Sequence, residues 1–432
     1  MRKNLGVATA IVVVAIVIAL VVGIAGGYLI APRSTSTTTN STTPTLKGIV
    51  NIGVAIPLSG GLGTYGDNAQ AALQLAESQI NTMLASSHAG WSINLTIMDT
   101  QTDPKIALED TQTLASEGCQ VIIGYYSSGE LSNCMSYAQQ NGIVLISPSS
   151  TAISLSIDKP YIYRFVPADD KQGPAMATGM WAQNITYIVP IYMLNTYGEG
   201  LAASTENSFV ALGGQYDHTN ISYDPLTTTE FSTQAALLNT EVTKAISQYG
   251  ASHVAVYAVT YEEVAGIMDA ASQYPALSQV KWYGCDGSAL SSKVTADPVA
   301  AKFAIETEFP ATYFAPTNSS IQTAVMQYVQ AKTGNVPDPY AYGSYDALWV
   351  VADCIGLTQQ YNGAAINSVL PTVANMTFGA SGWCSLNSFG DRTTGDYQFW
   401  QVYQVNSTSY SWYLAGYYSA ATQAVTWYPA PQ

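Results

Sequence analysis

Six short stretches of this chain place small hydroxyl residues, glycines and tyrosines directly after an apolar run: PLSGGLGTYG (57–66), YYSSG (125–129), PSST (148–151), NTYGEG (195–200), VTYEE (259–263) and CDGS (285–288). Serine and threonine hydroxyls beside free backbone N–H groups at a helix start form a site for a carboxylate or another anion. Asp286, the acidic residue of the last stretch, would face a cation. Each stretch also has a purely structural use. Ser-Ser-Gly caps helices, Tyr65 and Tyr197 can pack as core aromatics, and Asp286 before Gly287 can simply make a turn. The functional reading rests on two facts: all six stretches fall at strand exits, and the two sets are chemically complementary.

The elements that must position them alternate. IVNIGVAI (49–56) is nearly continuous apolar, as a parallel strand covered on both faces should be. Ala69, Leu73, Ala76 and Ile80 then recur at helical spacing. INLTIM (93–98) is a strand, Asp103-Pro104 opens a helix that Gly118 closes, VIIG (121–124) is a strand, 130–141 a helix and IVLIS (143–147) a strand. The rhythm restarts after Asp169. YIVPIYML (187–194), HVAVYA (253–258) and VKWYG (280–284) are strands, and 200–212, 231–249 and 261–272 are helices. Such alternation implies doubly wound parallel sheets, and two successive runs imply two lobes. Ligands of open α/β sheets bind beyond the carboxyl ends of the strands, where the six stretches lie. The tail from Tyr397 alternates Tyr, Trp and Val and reads as antiparallel β-structure.

Composition narrows the function further. The 432 residues are 48% hydrophobic but only 10% charged, with 30 Tyr and a net charge of −15. Soluble domains average roughly 25% charged residues, so uncharged polar groups supply most of this surface. That suits either an acidic exterior or a general habit of secreted proteins. The negative balance argues against a nucleic-acid partner, which needs a basic face. Arg2 and Lys3 precede an uncharged apolar run over 5–31, long enough to span a bilayer and too long for an ordinary secretory signal. The expected topology has a cytoplasmic N-terminus (1–4), a transmembrane anchor or long signal (5–31), a Ser/Thr-rich tether (32–47) and everything else outside. Seven Asn-X-Ser/Thr triplets, from Asn40 to Asn406, fit an exposed glycoprotein surface.

Five Cys leave at least one unpaired, and their spacing settles no disulfide; Cys119 and Cys134 are nearest in sequence. None precedes Cys119, which excludes a lipid-modified N-terminal cysteine. There is no CxxC, and His88, His218 and His253 are scattered, so no metal, redox centre or cofactor is expected. The chain has no GxSxG elbow and no P-loop, and no His lies near a candidate nucleophile. A catalytic role is therefore not expected.

In order and spacing the chain resembles the type I periplasmic binding proteins, in the branched-chain amino-acid branch typified by leucine/isoleucine/valine-binding proteins. The landmarks run over 49–404: IGVAIPLSG (52–60), TYGDNA (64–69), MDTQTDPKIALEDTQTL (98–114), VIIGYYSSG (121–129), GIVLISPSST (142–151) and DKPYIYRFVPADDKQG (158–173). They continue with YGEGLA (197–202), YGCDG (283–287), AYGSYDAL (341–348) and SFGDRTTGDY (388–397). The resemblance implies two lobes, 48–167 plus 310–378 and 168–309 plus 379–432, joined by three hinge crossovers near Pro167, Pro310 and Gly379. It implies that Ser127 and Thr151 hydrogen-bond a ligand α-carboxylate, that Ser149 offers backbone groups, and that Asp286 takes the α-ammonium, where the best-known member has Glu. Tyr65 and Tyr197 match cleft aromatics, and a further cleft tyrosine aligns with either Thr260 or Tyr261. The implied partners are a small-molecule ligand and an ABC permease with a separate ATPase, with the membrane reached through the N-terminal helix. A small-molecule sensor ectodomain, a urea- or short-amide-binding relative and a surface-layer role are the alternatives.

Overall fold

Strand β1 (Gly48–Ile56) carries the apolar run that opens the first lobe, and Ile52, Val54, Ala55 and Ile56 are fully buried in it. It pairs in parallel with β2 (Trp91–Asp99) on one side and β3 (Val121–Gly124) on the other; β4 (Val144–Ser147) and β5 (Ile162–Arg164) follow, giving the order β2-β1-β3-β4-β5. Helices α1 (Gly63–Ser86), α2 (Pro104–Ser116) and α3 (Ser128–Asn141) make the crossovers. The start of α2 follows the sequence reading: Asp103 Oδ1 accepts from Lys105 N at 2.7 Å and Ile106 N at 3.3 Å, with Pro104 in the first turn. The computed structural model describes residues 46–431, and Leu46–Gln432 close on themselves as one unit. The expected anchor (5–31) and nearly all of the tether (32–47) lie outside the described residues. Among the described residues, no helix is long and apolar enough to cross a membrane.

Helix α4 (Asp169–Ala182) leads into the second parallel sheet. It is built from β6 (Tyr187–Met193), β7 (Gln215–Tyr216), β8 (Ser222–Tyr223), β9 (Val254–Val259) and β10 (Lys281–Tyr283), in the order β10-β9-β6-β7, with β8 also on β6. Pro190 sits inside β6, where a missing N–H should break the ladder. Here β7 pairs with Tyr187 and Ile188 and β8 with Tyr192 and Met193, so Pro190 falls in the gap between the two partners. Helices α5 (Thr196–Ala211), α6 (Ser232–Tyr249) and α7 (Val264–Ala271) link these strands. Helix α5 begins four residues before the expected 200, because the Asn195 side chain accepts from Gly198 N at 2.8 Å. The stretch NTYGEG is therefore the first turn of a helix, not a loop ahead of it.

Beyond β10 the chain forms α8 (Ser292–Ala296), α9 (Pro298–Glu306) and β11 (Ala311–Phe314), and then α10 (Ser320–Thr333), α11 (Pro339–Thr358) and α12 (Gly363–Met376). Helices α10 and α11 pack on α1, which returns the chain to the first sheet. Periodicity gave no warning of α11, since it is buried nearly all round and shows no polar stripe. After the short pair β12 (Phe378–Gly379) and β13 (Gly382–Trp383), the tail forms β14 (Tyr397–Asn406), β15 (Ser409–Ser419) and β16 (Ala424–Trp427). These pair antiparallel in the order β11-β14-β15-β16, as the alternating tail implied. All five cysteines are buried free thiols, so Cys119 and Cys134 are not bridged. The sequon residues Asn94, Asn184, Asn220, Asn318, Asn375 and Asn406 are exposed.

A buried ion cluster ties the tail to the first sheet. Asp391 accepts from Arg164 at 2.7 and 2.6 Å and from Lys159 at 2.7 Å, all three side chains being 0–1% exposed. The remaining Arg164 donors reach Ser150 O (3.1 Å), Ala152 O (2.8 Å) and Ser156 Oγ (2.7 Å). Arg164 thus sets the 150–152 backbone while Asp391 sets Arg164. Replacing Asp391 by Ala leaves two cations buried and unpaired, which should cost about 3–5 kcal/mol in chemical denaturation; a loss below about 1 kcal/mol would show the cluster to be incidental.

Acid has two opposed effects. Burial pushes the carboxyl of Glu130 up to about 7 and those of Asp110, Asp338 and Asp353 up to about 6. In the unfolded chain such groups titrate near 3.9–4.3. Between these limits the folded protein holds protons that the unfolded chain releases, so stability rises as pH falls through that window. Asp391 has the other sign. Burial alone would raise it, but Arg164 and Lys159 outweigh burial and hold it low, so its contribution is present above about pH 3.9 and lost below. Calorimetry should therefore give a higher Tm near pH 5 than near pH 8, with a fall below about pH 4. A Tm at pH 5 no higher than at pH 8 would contradict this account.

Candidate ligand-binding site

Each parallel sheet has one point where strand order reverses, and loops part there. In the first sheet it lies between β1 and β3, whose exits carry Leu62 and Tyr126-Ser127-Ser128. In the second it lies between β6 and β9, whose exits carry Tyr197 and Tyr261. The two points face each other across a cleft. Leu62, Tyr126, Ser128, Ser149, Thr151 and Tyr340 from the first side, with Tyr197, Tyr261, Asp286 and Gly287 from the second, enclose a cavity of about 10 Å³, room for about one water. Beyond Tyr261 the cleft widens to about 330 Å³, with Gln101, Asp103 and Ser127 on one wall and Asn195, Asp224 and Glu263 on the other.

Asp286 lines the enclosed cavity. Tyr197 donates to Oδ1 and Tyr340 to Oδ2. The Asp286 N–H donates to Gln172 Oε1 at 3.0 Å; the same oxygen accepts from Thr312 at 2.7 Å, while Gln172 Nε2 donates to Asp169 Oδ1 at 3.1 Å. Two buried carboxyls therefore share one neighbourhood. Burial raises both, and the Asp286 charge raises Asp169 further still. Asp169 Oδ2 has no hydrogen-bond partner. Tyr197 and Tyr261 stack at 5.5 Å between ring centroids. Gly287 permits this approach, since a Cβ there would meet Thr260 O at 2.5 Å and the Tyr261 ring at 2.8 Å.

The sequence-named residues divide by role. Thr151 lines the enclosed cavity, and its hydroxyl has no partner. Ser149 also lines it, but its hydroxyl donates to Tyr126 O at 2.8 Å, and Ser150 donates to Ser127 O at 3.0 Å; these bonds fasten the 148–151 loop to the 125–128 turn. Ser127 lines the outer cleft. It caps α3: its hydroxyl accepts from Glu130 N at 3.2 Å, and its own N–H donates to Glu130 Oε2 at 2.7 Å. Tyr261 lines both cavities. Thr260 lines neither, its backbone being bonded to the Cys285 thiol. Of the two positions left open in the sequence, Tyr261 is the one that lines the cavities. Tyr65 lies outside the cavity wall, its hydroxyl donating to Gly287 O (3.1 Å) and Ala289 O (2.8 Å) across the cleft.

Other side chains join the two sides of the cleft. Glu262 accepts from Thr64 N at 3.1 Å, from the Thr64 hydroxyl and from Ser291 at 2.7 Å, while Lys293 donates to Gly60 O at 3.1 Å; together they latch the two sides. The role of Glu130 was readable in the Ser-x-x-Glu spacing of 127–130, the signature of a capping box. Tyr126, Tyr340 and Gln172 carried no local signal, because only the tertiary fold brings 126, 172 and 340 to Asp286.

Residues 49–407 match the periplasmic binding protein family. An uncharacterized protein of Methanocaldococcus jannaschii is 28% identical over 422 residues, 94% of this chain and 98% of its own length. The leucine-, isoleucine-, valine-, threonine-, and alanine-binding protein of Pseudomonas aeruginosa is 27% identical over 162 residues, 37% of this chain and 43% of that protein. Among solved structures, the leucine binding protein LivK of Thermotoga maritima superposes with a TM-score of 0.68 at 21% identity, covering 84% of this chain and 97% of its own. LivJ of Streptococcus pneumoniae, solved with isoleucine, gives 0.66 at 19% identity over 85% and 99%. With two parallel sheets whose switch points close on a common cleft, and with the family matched over nearly the whole described unit, the chain belongs to the periplasmic binding protein family and has its type I fold.

Proposed function

We propose that this protein is the extracytoplasmic solute-binding subunit of an ABC importer, capturing a small amine-bearing solute of the amino-acid kind in the cleft and delivering it to a membrane permease. The lobes are 48–167 with 310–378 and 168–309 with 379–432. They swing about crossovers near Pro167, Pro310 and Gly379, and a solute that touches both favours the closed form by its differential affinity. The apolar run at 5–31 would hold the chain to the membrane with the binding unit outside.

The observation that carries this reading is the position of Asp286. Its carboxylate is 4% exposed and meets a tyrosine from each side of the cleft. No Lys, Arg or His among the described residues lines either the enclosed cavity or the outer cleft. A charge buried without a counter-ion is costly, and a solute ammonium supplies one. The Pseudomonas aeruginosa relative, a leucine-, isoleucine-, valine-, threonine-, and alanine-binding protein, points to the same chemistry.

Asp286→Asn keeps the size of the side chain and removes its charge. Losing a desolvated charge pair costs about 2–5 kcal/mol, so calorimetry with L-leucine, L-valine or a short primary amine should show affinity reduced about 30-fold or more. Binding by the unmodified protein should also weaken as pH falls through the raised Asp286 pKa, because the cation favours the ionised carboxylate. Unchanged affinity in Asp286→Asn would instead indicate a neutral solute such as a short amide or urea.

A further inference from the structure

We propose that Glu262 and the first turn of α1 form a latch across the cleft, which stabilises the closed form independently of the solute, so that residues no solute touches set part of the affinity. This rests on the reading of two lobes that swing together, and not on which solute they enclose. Helix α1 lies in the first lobe and has no cap of its own: Leu62, before it, makes no side-chain bond, and its first turn holds no acidic residue. The start of a 24-residue helix leaves backbone N–H groups unmet and favours negative charge. Glu262, from the second lobe, supplies what α1 lacks. Its Oε2 accepts from Thr64 N at 3.1 Å and its Oε1 from the Thr64 hydroxyl, which also lies 2.7 Å from Ser292 Oγ. Its backbone N–H donates to Gly61 O at 3.1 Å, just ahead of the helix.

Two features separate this latch from a solute contact. Thr64 and Glu262 line neither the enclosed cavity nor the outer cleft, and Glu262 is fully buried between the two sides. The bonds also divide cleanly by lobe. Ser291 at 2.7 Å and Lys293 at 3.8 Å come from the same lobe as Glu262 and stay with it on opening, whereas the Thr64 donors leave. The free energy of the Thr64 bonds therefore belongs to the equilibrium between open and closed forms, not to the folding of either lobe. Charge-assisted bonds of this kind are among the stronger ones. A solute held only by the closed form binds with an affinity scaled by the closed fraction, and the latch raises that fraction. Since release follows opening, the latch also slows dissociation.

The test has one arm without solute and one with it, both on residues 46–432. Small-angle scattering without solute should give a larger radius of gyration for Glu262→Ala, and for Thr64→Val, than for the unmodified protein. Calorimetry and stopped-flow fluorescence with L-leucine, L-valine and propylamine form the second arm. Glu262→Ala and Thr64→Val should each weaken binding about tenfold, mainly through faster dissociation. Glu262→Gln, which keeps an acceptor oxygen, should fall between Glu262→Ala and the unmodified protein. The double variant Thr64→Val with Glu262→Ala should bind about as the weaker single one does, because both changes break one joint. An unliganded radius of gyration unchanged in both single variants, affinities unchanged in both, or losses that multiply in the double variant would each overturn the latch. Should none of the three solutes bind, the amine reading fails, and the unliganded scattering still decides the latch.

Discussion

The carboxylate of Asp286 is taken out of water, so donors must meet it or the closed cleft becomes unfavourable. Those donors arrive from distant parts of the chain: Tyr197 from the first turn of α5, and Tyr340 from the first turn of α11, which packs with the opposite sheet. The Asp286 backbone is held in turn by Gln172 at the start of α4, and Gln172 also holds Asp169 and the β11 residue Thr312. One acidic side chain thus couples the floor of the cleft to segments on both sides of it. Any change in the spacing of the two sheets must break or remake these bonds, which makes the group a natural sensor of what lies between them.

A second layer of buried charge keeps this arrangement in register. Asp391 fixes Arg164, and Arg164 fixes the carbonyls of Ser150 and Ala152 on either side of Thr151. Farther along, Arg392 donates to Ser381 O, Trp383 O and the Ser381 hydroxyl, while Asp346 accepts from Ala380 N and Ser381 N. Gly379 is required beside Asp346, since a Cβ there would lie 2.0 Å from Oδ1. Neither cluster lines the cavity. The first holds the backbone on either side of the cavity-lining Thr151 still, so that the solute encounters prearranged groups and loses less affinity to ordering them.

Much of this was legible in the amino-acid sequence because it is local. The apolar runs of β1, β3 and β9, the Asp103-Pro104 start of α2 and the alternating tail each follow from neighbouring residues. The placement of Thr151, Tyr197 and Asp286 at strand exits followed from the same alternation. What escaped was either featureless or long-range. Helix α11 is buried all round and so lacks a periodic face. Tyr340 and Gln172 acquire meaning only when 172, 286 and 340 come together. Ser127 illustrates a different limit: its position suggested an anion donor, and the fold also uses it to cap α3, its hydroxyl accepting from Glu130 N and its N–H donating to Glu130 Oε2. The type of a residue indicates what it can bond, and the fold decides which bond it makes.

In the proposed mechanism a solute amine draws the two lobes together at Asp286. Small-angle X-ray scattering of residues 46–432, with and without a saturating amount of the tightest-binding of L-leucine, L-valine and a short primary amine, examines that step directly. The radius of gyration should fall on saturation of the unmodified protein and stay unchanged in Asp286→Asn saturated at its own higher concentration. Equal contraction of both proteins, or no contraction of the unmodified one, would contradict the claim that this carboxylate links solute capture to closure.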